Sequence, residues 1–197
     1  MLVMHAIRFF QVLVLVAVLA GCGVNTIPTY EEQAKGAWSQ VLNQYQRRAD
    51  LIPNLVETVK GYAQQEQEVL TQVVEARARA TQMQIPADIL TDPEAFQRFQ
   101  AAQGELGAAL GRLISITENY PDLKSNQNFL ALQSQLEGTE NRIAVSRRDY
   151  IEAVQRYNTE IKTIPGRWWN ALMYQSEPMA NFTVAEEVLR APQVDFN

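Results

Sequence analysis

Histidine and cysteine are nearly missing from this 197-residue chain, which has one of each, His5 and Cys22. A single cysteine cannot close a disulfide within the chain, so the fold has to rest on packing. His5 lies in a segment expected to be removed, which leaves no imidazole for Ser-His-Asp or Cys-His catalysis or for an H-E-x-x-H zinc site. There is no P-loop and no glycine-rich dinucleotide turn, and neither sustained alternation nor hairpin turns mark strands. Positive charge is also in deficit. The formal net charge is −5, and loss of Arg8 with the N-terminal segment makes the remainder more acidic, which argues against nucleic acid or an anionic lipid surface as the main partner. A carboxylate pair or a hard-cation site of Asp and Glu is what chemistry remains. Those residues are spaced as on ordinary helix surfaces, so the chain reads as non-enzymatic and without a cofactor.

At the N-terminus, His5 and Arg8 give a weakly cationic start, and residues 9–20 are apolar except for Gln11. That run is shorter than the roughly 20 residues a helix needs to cross a bilayer and ends in small residues, as a signal peptide does. Val18-Leu19-Ala20-Gly21-Cys22-Gly23 resembles the lipobox of a bacterial lipoprotein precursor. The resemblance implies acylation of Cys22, cleavage before it, and a mature chain tethered on the outer side of the cytoplasmic membrane. Gly23 is not the aspartate resembling an inner-membrane retention signal. The alternative is an uncleaved membrane helix over about residues 6–24. The expected organisation is a signal or membrane segment at 1–21, a lipidated N-terminus and linker at 22–29, a helical bundle at 30–175, and a loosely attached tail at 176–197 with a short helix, capped by Thr183 with Glu186.

Beyond the linker the pattern is helical throughout. Apolar residues recur in steps of three and four from Tyr30 to Thr81, which predicts one long amphipathic helix continuing through Pro53 with a kink. Asp92-Pro93-Glu94 places a capping carboxylate before a first-turn proline and opens a second helix running to about Asn119. Gly104, Gly107 and Gly111 lie beside its apolar stripe, which suggests close backbone approach by a neighbouring helix or a dimer seam. Ser125 is positioned to cap a third helix that ends at Pro165-Gly166. The expected fold is all-α: an elongated antiparallel up-down-up bundle of three long helices plus a short fourth helix near residues 167–174. In that order Trp168 and Trp169 fall at the end distal to the membrane, capping the bundle or forming a docking patch.

Several blocks resemble the LemA family. One runs Gln46-Arg47-Arg48-Ala49-Asp50-Leu51-Ile52-Pro53-Asn54-Leu55-Val56-Glu57-Thr58-Val59-Lys60-Gly61-Tyr62-Ala63. Another runs Glu118-Asn119-Tyr120-Pro121-Asp122-Leu123-Lys124, followed by Leu136-Glu137-Gly138-Thr139-Glu140-Asn141-Arg142-Ile143-Ala144 and Arg147-Arg148-Asp149-Tyr150. Tyr157-Asn158, Pro165-Gly166 and the closing Pro192-Gln193-Val194-Asp195-Phe196 extend the likeness over nearly the whole chain. The resemblance implies a membrane-anchored antiparallel bundle with no established enzymatic activity or cofactor. Members usually carry an N-terminal transmembrane helix, and some are encoded beside membrane metalloproteases. This chain departs from them in offering a lipobox and in reading Arg167-Trp168-Trp169-Asn170 after Pro165-Gly166.

Taken as physical chemistry, Arg47 and Asp50 are spaced to pair on one helix face. Asn54 is placed to reach the carbonyl freed by Pro53, with the kink as structural support or as a partner notch. Glu140, Arg147 and Asn158 fall on or beside the apolar stripe of the third helix. Buried polar groups need partners, so contacts with Arg48, Tyr45 or Tyr62 are expected, or else solvation along the bundle edge. The leading function is an envelope scaffold or adaptor, held by a lipid or helix in the membrane and contacting another membrane protein, a membrane protease among the candidates. A carboxylate-dependent hydrolase and a helical signalling module on an uncleaved transmembrane anchor are the competing classes. The sequence leaves homo-oligomerisation open.

Overall fold

The computed structural model describes residues 23–183, together with His5 and Gln11. Cys22, the rest of the lipobox ahead of Gly23, and Glu186 of the expected capping box lie outside the described residues. Among those described, six helices follow in order: α1 (Thr26–Lys60), α2 (Gln67–Gln82), α3 (Pro93–Thr117), the short α4 (Pro121–Lys124), α5 (Gln127–Glu160) and α6 (Gly166–Trp169), which runs into a π-helical turn (Asn170–Tyr174). The all-α, elongated character expected from the sequence is what the structure has. Among the described residues no helix is long and apolar enough to cross a membrane.

The spine is the antiparallel pair α1 and α5, which have 35 and 34 residues and therefore run side by side for about 50 Å. Helix α1 passes through Pro53 unbroken, as the apolar spacing predicts. The helical pattern from Tyr30 to Thr81 does not form one rod, however. Between Ala63 and Val69 five consecutive polar residues, Gln64 to Glu68, have no apolar surface to bury. The chain reverses there and α2 folds back against α1 and α3. The physical cause is that the stripe keeps its phase while losing its content.

Helix α3 opens as expected, with Asp92 Oδ1 accepting from the amides of Glu94 (2.9 Å) and Ala95 (3.0 Å). Ser125 does not cap α5. It closes α4, and Asn126 caps α5 by accepting from Phe129 N at 3.0 Å. At the turn following α5, an added Cβ on Gly166 would meet the Glu160 carbonyl and lie 2.7 Å from Glu160 Oε1, so only glycine fits.

Because the first pattern folds into two helices, the four long helices run up, down, up and down, and the end of α5 returns to the start of α1. Tyr174 Oη donates to the Val24 carbonyl (2.9 Å), and an added Cβ on Gly23 would touch Pro165 Cγ at 3.6 Å. The opposite end is a polar cluster of turns. There Tyr120 Oη donates to Glu66 Oε1 and receives from Gln65 Nε2, both at 2.9 Å, and Asn126 Nδ2 donates to Tyr62 Oη at 2.8 Å.

The interior has two contrasting halves. Near the N-terminal end it is aromatic, with Trp38 meeting Phe96, Phe99 and Tyr150 at centroid distances of 5.2–5.4 Å. Toward the polar turns it is mostly aliphatic, around Ile52, Leu55, Val59, Val73, Leu106 and Leu113. Each such fully buried side chain contributes on the order of 1.5–3 kcal/mol.

Tyr150 lies in the aromatic half with no exposed surface and donates to the Ala180 carbonyl at 2.7 Å; burial raises its phenol pKa well above the usual range. Tyr157 is held in the same way against the Glu177 carbonyl at 3.0 Å, its pKa raised first by burial. A raised folded-state pKa confers stability that is complete below the unfolded value and is lost as pH rises past it, about pH 10 for tyrosine. Denaturant melts between pH 7 and 11 should therefore show stability falling on the alkaline side. Tyr150→Phe should cost about 1 kcal/mol at pH 7 and flatten that fall. An unchanged alkaline slope in the variant would contradict the assignment.

Candidate functional site

Among the described residues the one buried charged side chain is Arg48, only 3% exposed, on the inner face of α1. It sits where the aromatic and aliphatic halves meet, with its guanidinium 5.0 Å from the centroid of the Tyr45 ring. Nη1 donates to Glu140 Oε1 of α5 at 3.1 Å. Nη2 donates to both the backbone carbonyl (3.1 Å) and the side-chain Oε1 (2.7 Å) of Gln103 on α3. Gln103 Nε2 in turn points to the Ala80 carbonyl of α2, at 3.5 Å. One guanidinium thus ties three helices together and reaches a fourth through Gln103. The expected contact between Arg48 and Glu140 is present, whereas Gln103 carried no sequence signal beyond its register beside the apolar stripe.

Gly107 is the glycine of α3 that faces this guanidinium; an added Cβ would lie 3.8 Å from Arg48 Nη1, in ordinary van der Waals contact. The close helix approach expected of all three glycines is not what they serve. Gly104 and Gly111 face open space with nothing within 4 Å.

Pro53 acts one turn further along α1. Its missing N–H frees the carbonyl of Ala49, and Arg77 Nε of α2 donates to that oxygen at 2.8 Å. Asn54, assigned that role from sequence, is exposed and does not fill it; its own carbonyl receives the Thr58 hydroxyl at 2.8 Å. A helix neighbouring only in space supplies the partner, which local spacing could not reveal. Asp50 likewise pairs with Gln46 Nε2 (2.7 Å) instead of Arg47.

Arg147 and Asn158 serve a different element from the one expected. Asn158 forms a reciprocal pair with Met179, donating from Nδ2 to its carbonyl and accepting from its amide at Oδ1, each at 2.9 Å. The Arg147 guanidinium stacks 4.3 Å over the centroid of Phe182. Its charge also acts on Tyr45, whose phenol is raised by burial and pulled back by Arg147 and Arg48. Residues 175–183 form a strap along the aromatic half. Phe182 packs in it against Phe96 and Tyr150, and Ala180 N bonds the Leu90 carbonyl at 2.6 Å. The loose tail expected from Ser176 onward is corrected for these residues: Met179 and Phe182 bury their side chains in the core.

Trp168 and Trp169 are not distal. The fold reversal at residues 61–66 returns them to the N-terminal end, beside Gly23 and Val24. Trp169 packs partly into the aromatic half, while Trp168 is 63% exposed. Among the described residues no three His, Cys, Asp or Glu side chains converge in a metal-holding geometry. An open groove of about 350 Å³ beside the Arg48 layer is lined by Leu42, Tyr45, Met83, Ile85 and Phe99 among others, with no carboxylate.

The LemA family model matches residues 37–196, which spans the Arg48 layer, the Pro53 turn and the strap. Two magnetosome proteins of Paramagnetospirillum magneticum, MamQ 2 and MamQ 1, are each 29% identical over 188 residues, covering 86% of this chain and 68% of their own. Magnetosome protein MamQ of Magnetospirillum gryphiswaldense is 27% identical over 157 residues, covering 72% of this chain and 58% of its own.

Two outcomes follow for the buried polar layer. Arg48→Met should destabilise the bundle by about 2–4 kcal/mol, since Gln103 loses its charged partner in the interior. Glu140→Gln keeps an acceptor on a side chain that is 44% exposed, and should cost no more than about 1 kcal/mol; the reverse order in chemical denaturation would refute the layer's ranking. Pro53→Ala restores an amide to the Ala49 carbonyl, so Arg77→Ala should cost about 1 kcal/mol more in the wild-type background than in the Pro53→Ala background. A double-mutant cycle showing no coupling would remove the Arg77 role.

Proposed function

Because the chain belongs to the LemA family, we propose that it is a membrane-anchored, non-enzymatic helical bundle acting as an envelope scaffold or adaptor for another membrane protein. The observation that supports this reading best is where the motif residues spend their chemistry. Arg48, Gln103 and Glu140 hold helices to one another, Pro53 and Arg77 join α1 to α2, and Asn158 and Arg147 hold the strap. They build a rod and converge on no reacting centre. What the rod presents outward is two long helix faces, on α1 and α5, studded with exposed Arg47, Glu57, Arg142 and Arg148. Such faces suit recognition by charge and shape. The naming of similar chains as magnetosome proteins is in keeping with a part in an assembled structure.

On this reading the tether is Cys22 with its acyl chains, and the bundle faces the periplasm or the cell exterior. Two or three acyl chains hold far better than one, at about 0.8 kcal/mol per buried methylene. A membrane protease of the envelope is one candidate partner. Fatty-acid labelling should mark the wild type and fail in Cys22→Ala; a variant still labelled and processed overturns the lipid tether. Photo-crosslinkers placed singly at Arg47, Glu57, Arg142 and Arg148 in intact cells should give a discrete adduct with a membrane protein from neighbouring positions on one face. No adduct from any of the four, or substrate turnover by the purified chain, overturns the adaptor role.

A further inference from the structure

The four most exposed large apolar side chains among the described residues lie within ten residues of one another: Ile164 (63%), Trp168 (63%), Leu172 (76%) and Met173 (56%). Trp168, Leu172 and Met173 are spaced four and five apart through α6 and its π-helical continuation, so they share one side of that turn. Clustered exposure of this kind marks a binding surface, whereas single exposed apolar residues need no explanation.

Its position identifies the occupant. The Tyr174–Val24 hydrogen bond and the proximity of Pro165 to Gly23 put this turn at the point where the chain leads back into residues 1–22. Those residues include the apolar run 9–20 and Cys22. Whether the anchor is acyl chains or a helix, the bilayer begins within a few residues of Gly23, on the side where the patch lies. From Lys162 to Gln175 the charges are Lys162 and Arg167, both exposed; the flanking carboxylates are Glu160, half-buried against Gly166, and the exposed Glu177. An indole at the headgroup level, aliphatic and thioether side chains below it and cations beside them form the composition that settles in a lipid interface.

We propose that Ile164, Trp168, Leu172 and Met173 insert into the membrane that holds the N-terminus, as a second contact fixing the orientation of the rod. This rests on the membrane-anchored reading above. With the chain acidic overall, insertion is driven by apolar burial and needs no anionic lipid.

The full-length chain, reconstituted into phosphatidylcholine vesicles with brominated acyl chains, tests it through flotation and tryptophan emission. Trp38 is in the core and Trp169 is half-buried, and both remain in Trp168→Phe, so the difference in emission between wild type and that variant reports Trp168. The chain should float, and most of the Trp168 emission should be quenched. Leu172→Asp with Met173→Asp should abolish that quenching while flotation persists, because both side chains are exposed and their replacement leaves the core intact. Flotation without Trp168 quenching overturns the inserted patch and leaves the anchor standing. Quenching that survives the double aspartate variant overturns it as well. Self-crosslinking at Leu172, with Trp168 shielded from both bromolipid and aqueous quencher, assigns the face to a second copy and overturns the lipid assignment. Failure to float overturns the anchored reading itself, and this inference with it.

Discussion

A guanidinium shut inside a helical bundle constrains everything around it. Arg48 is so nearly removed from water that its charge has to be met by protein, and the groups that meet it come from separate helices: Gln103 of α3 and Glu140 of α5, with Tyr45 supplying a ring face from its own helix. Sliding α3 by one turn against α1 would take Gln103, with its carbonyl and its Oε1, away from Nη2. An apolar interface would tolerate such a slip far better, because hydrophobic burial has no direction. The ionic layer therefore fixes register, and the aromatic and aliphatic halves on either side of it can differ in character without losing alignment.

Around that layer the molecule solves a coverage problem. A two-helix spine buries only one face of each helix, and neither half of the remaining apolar surface is covered by the same means. Toward the polar turns α2 folds back over α1, held in part by Arg77 on the carbonyl that Pro53 leaves open. Toward the N-terminal end a strap without regular structure does the work. Its backbone polar groups cannot pair within a helix, and they are met by Asn158, Tyr150, Tyr157, Gln100 and the Leu90 carbonyl. Proline inside a helix and asparagine on an apolar stripe are both costly in isolation. Each is offset here by a partner from a different element.

How much of this could be read from the residues depends on whether the signal was local. The Asp92 cap and the helix through Pro53 are encoded within a few neighbours, and both were legible. The partner of Glu140 was legible only in part: the residues offered Arg48, Tyr45 or Tyr62, or solvation along the bundle edge, and the structure pairs it with Arg48. The reversal at residues 61–66 was not legible, because the apolar phase before and after it is continuous and only the five polar residues between Ala63 and Val69 hint at a turn. The partners of Arg147 and Asn158 were hidden for a related reason. They belong to a strap whose own sequence shows no periodicity, so its docking becomes apparent only once the helices stand in place. The three glycines of α3 misled because a helical glycine reads the same in sequence whether or not a backbone approaches it; Gly107 meets only the Arg48 side chain, and Gly104 and Gly111 meet nothing within 4 Å.

A single missed reversal has a consequence out of proportion to its length. In an antiparallel bundle the parity of long helices decides which end each later segment reaches. Three would carry Trp168 about 50 Å from the start of α1, whereas four bring its turn back to that end, where Tyr174 bonds Val24. The same exposed indole then changes meaning, from a tip facing an unknown neighbour to part of the end where α1 begins. Parity also sends the polar turn cluster of Gln65, Glu66, Tyr120 and Asn126 to the far end, where its side chains pair with one another. The two ends of the rod thus differ in chemistry, one carrying the exposed apolar side chains of Ile164, Trp168, Leu172 and Met173, the other polar with its side chains paired to one another. A rod of that polarity is suited to stand on a surface by one end and to meet partners along its length.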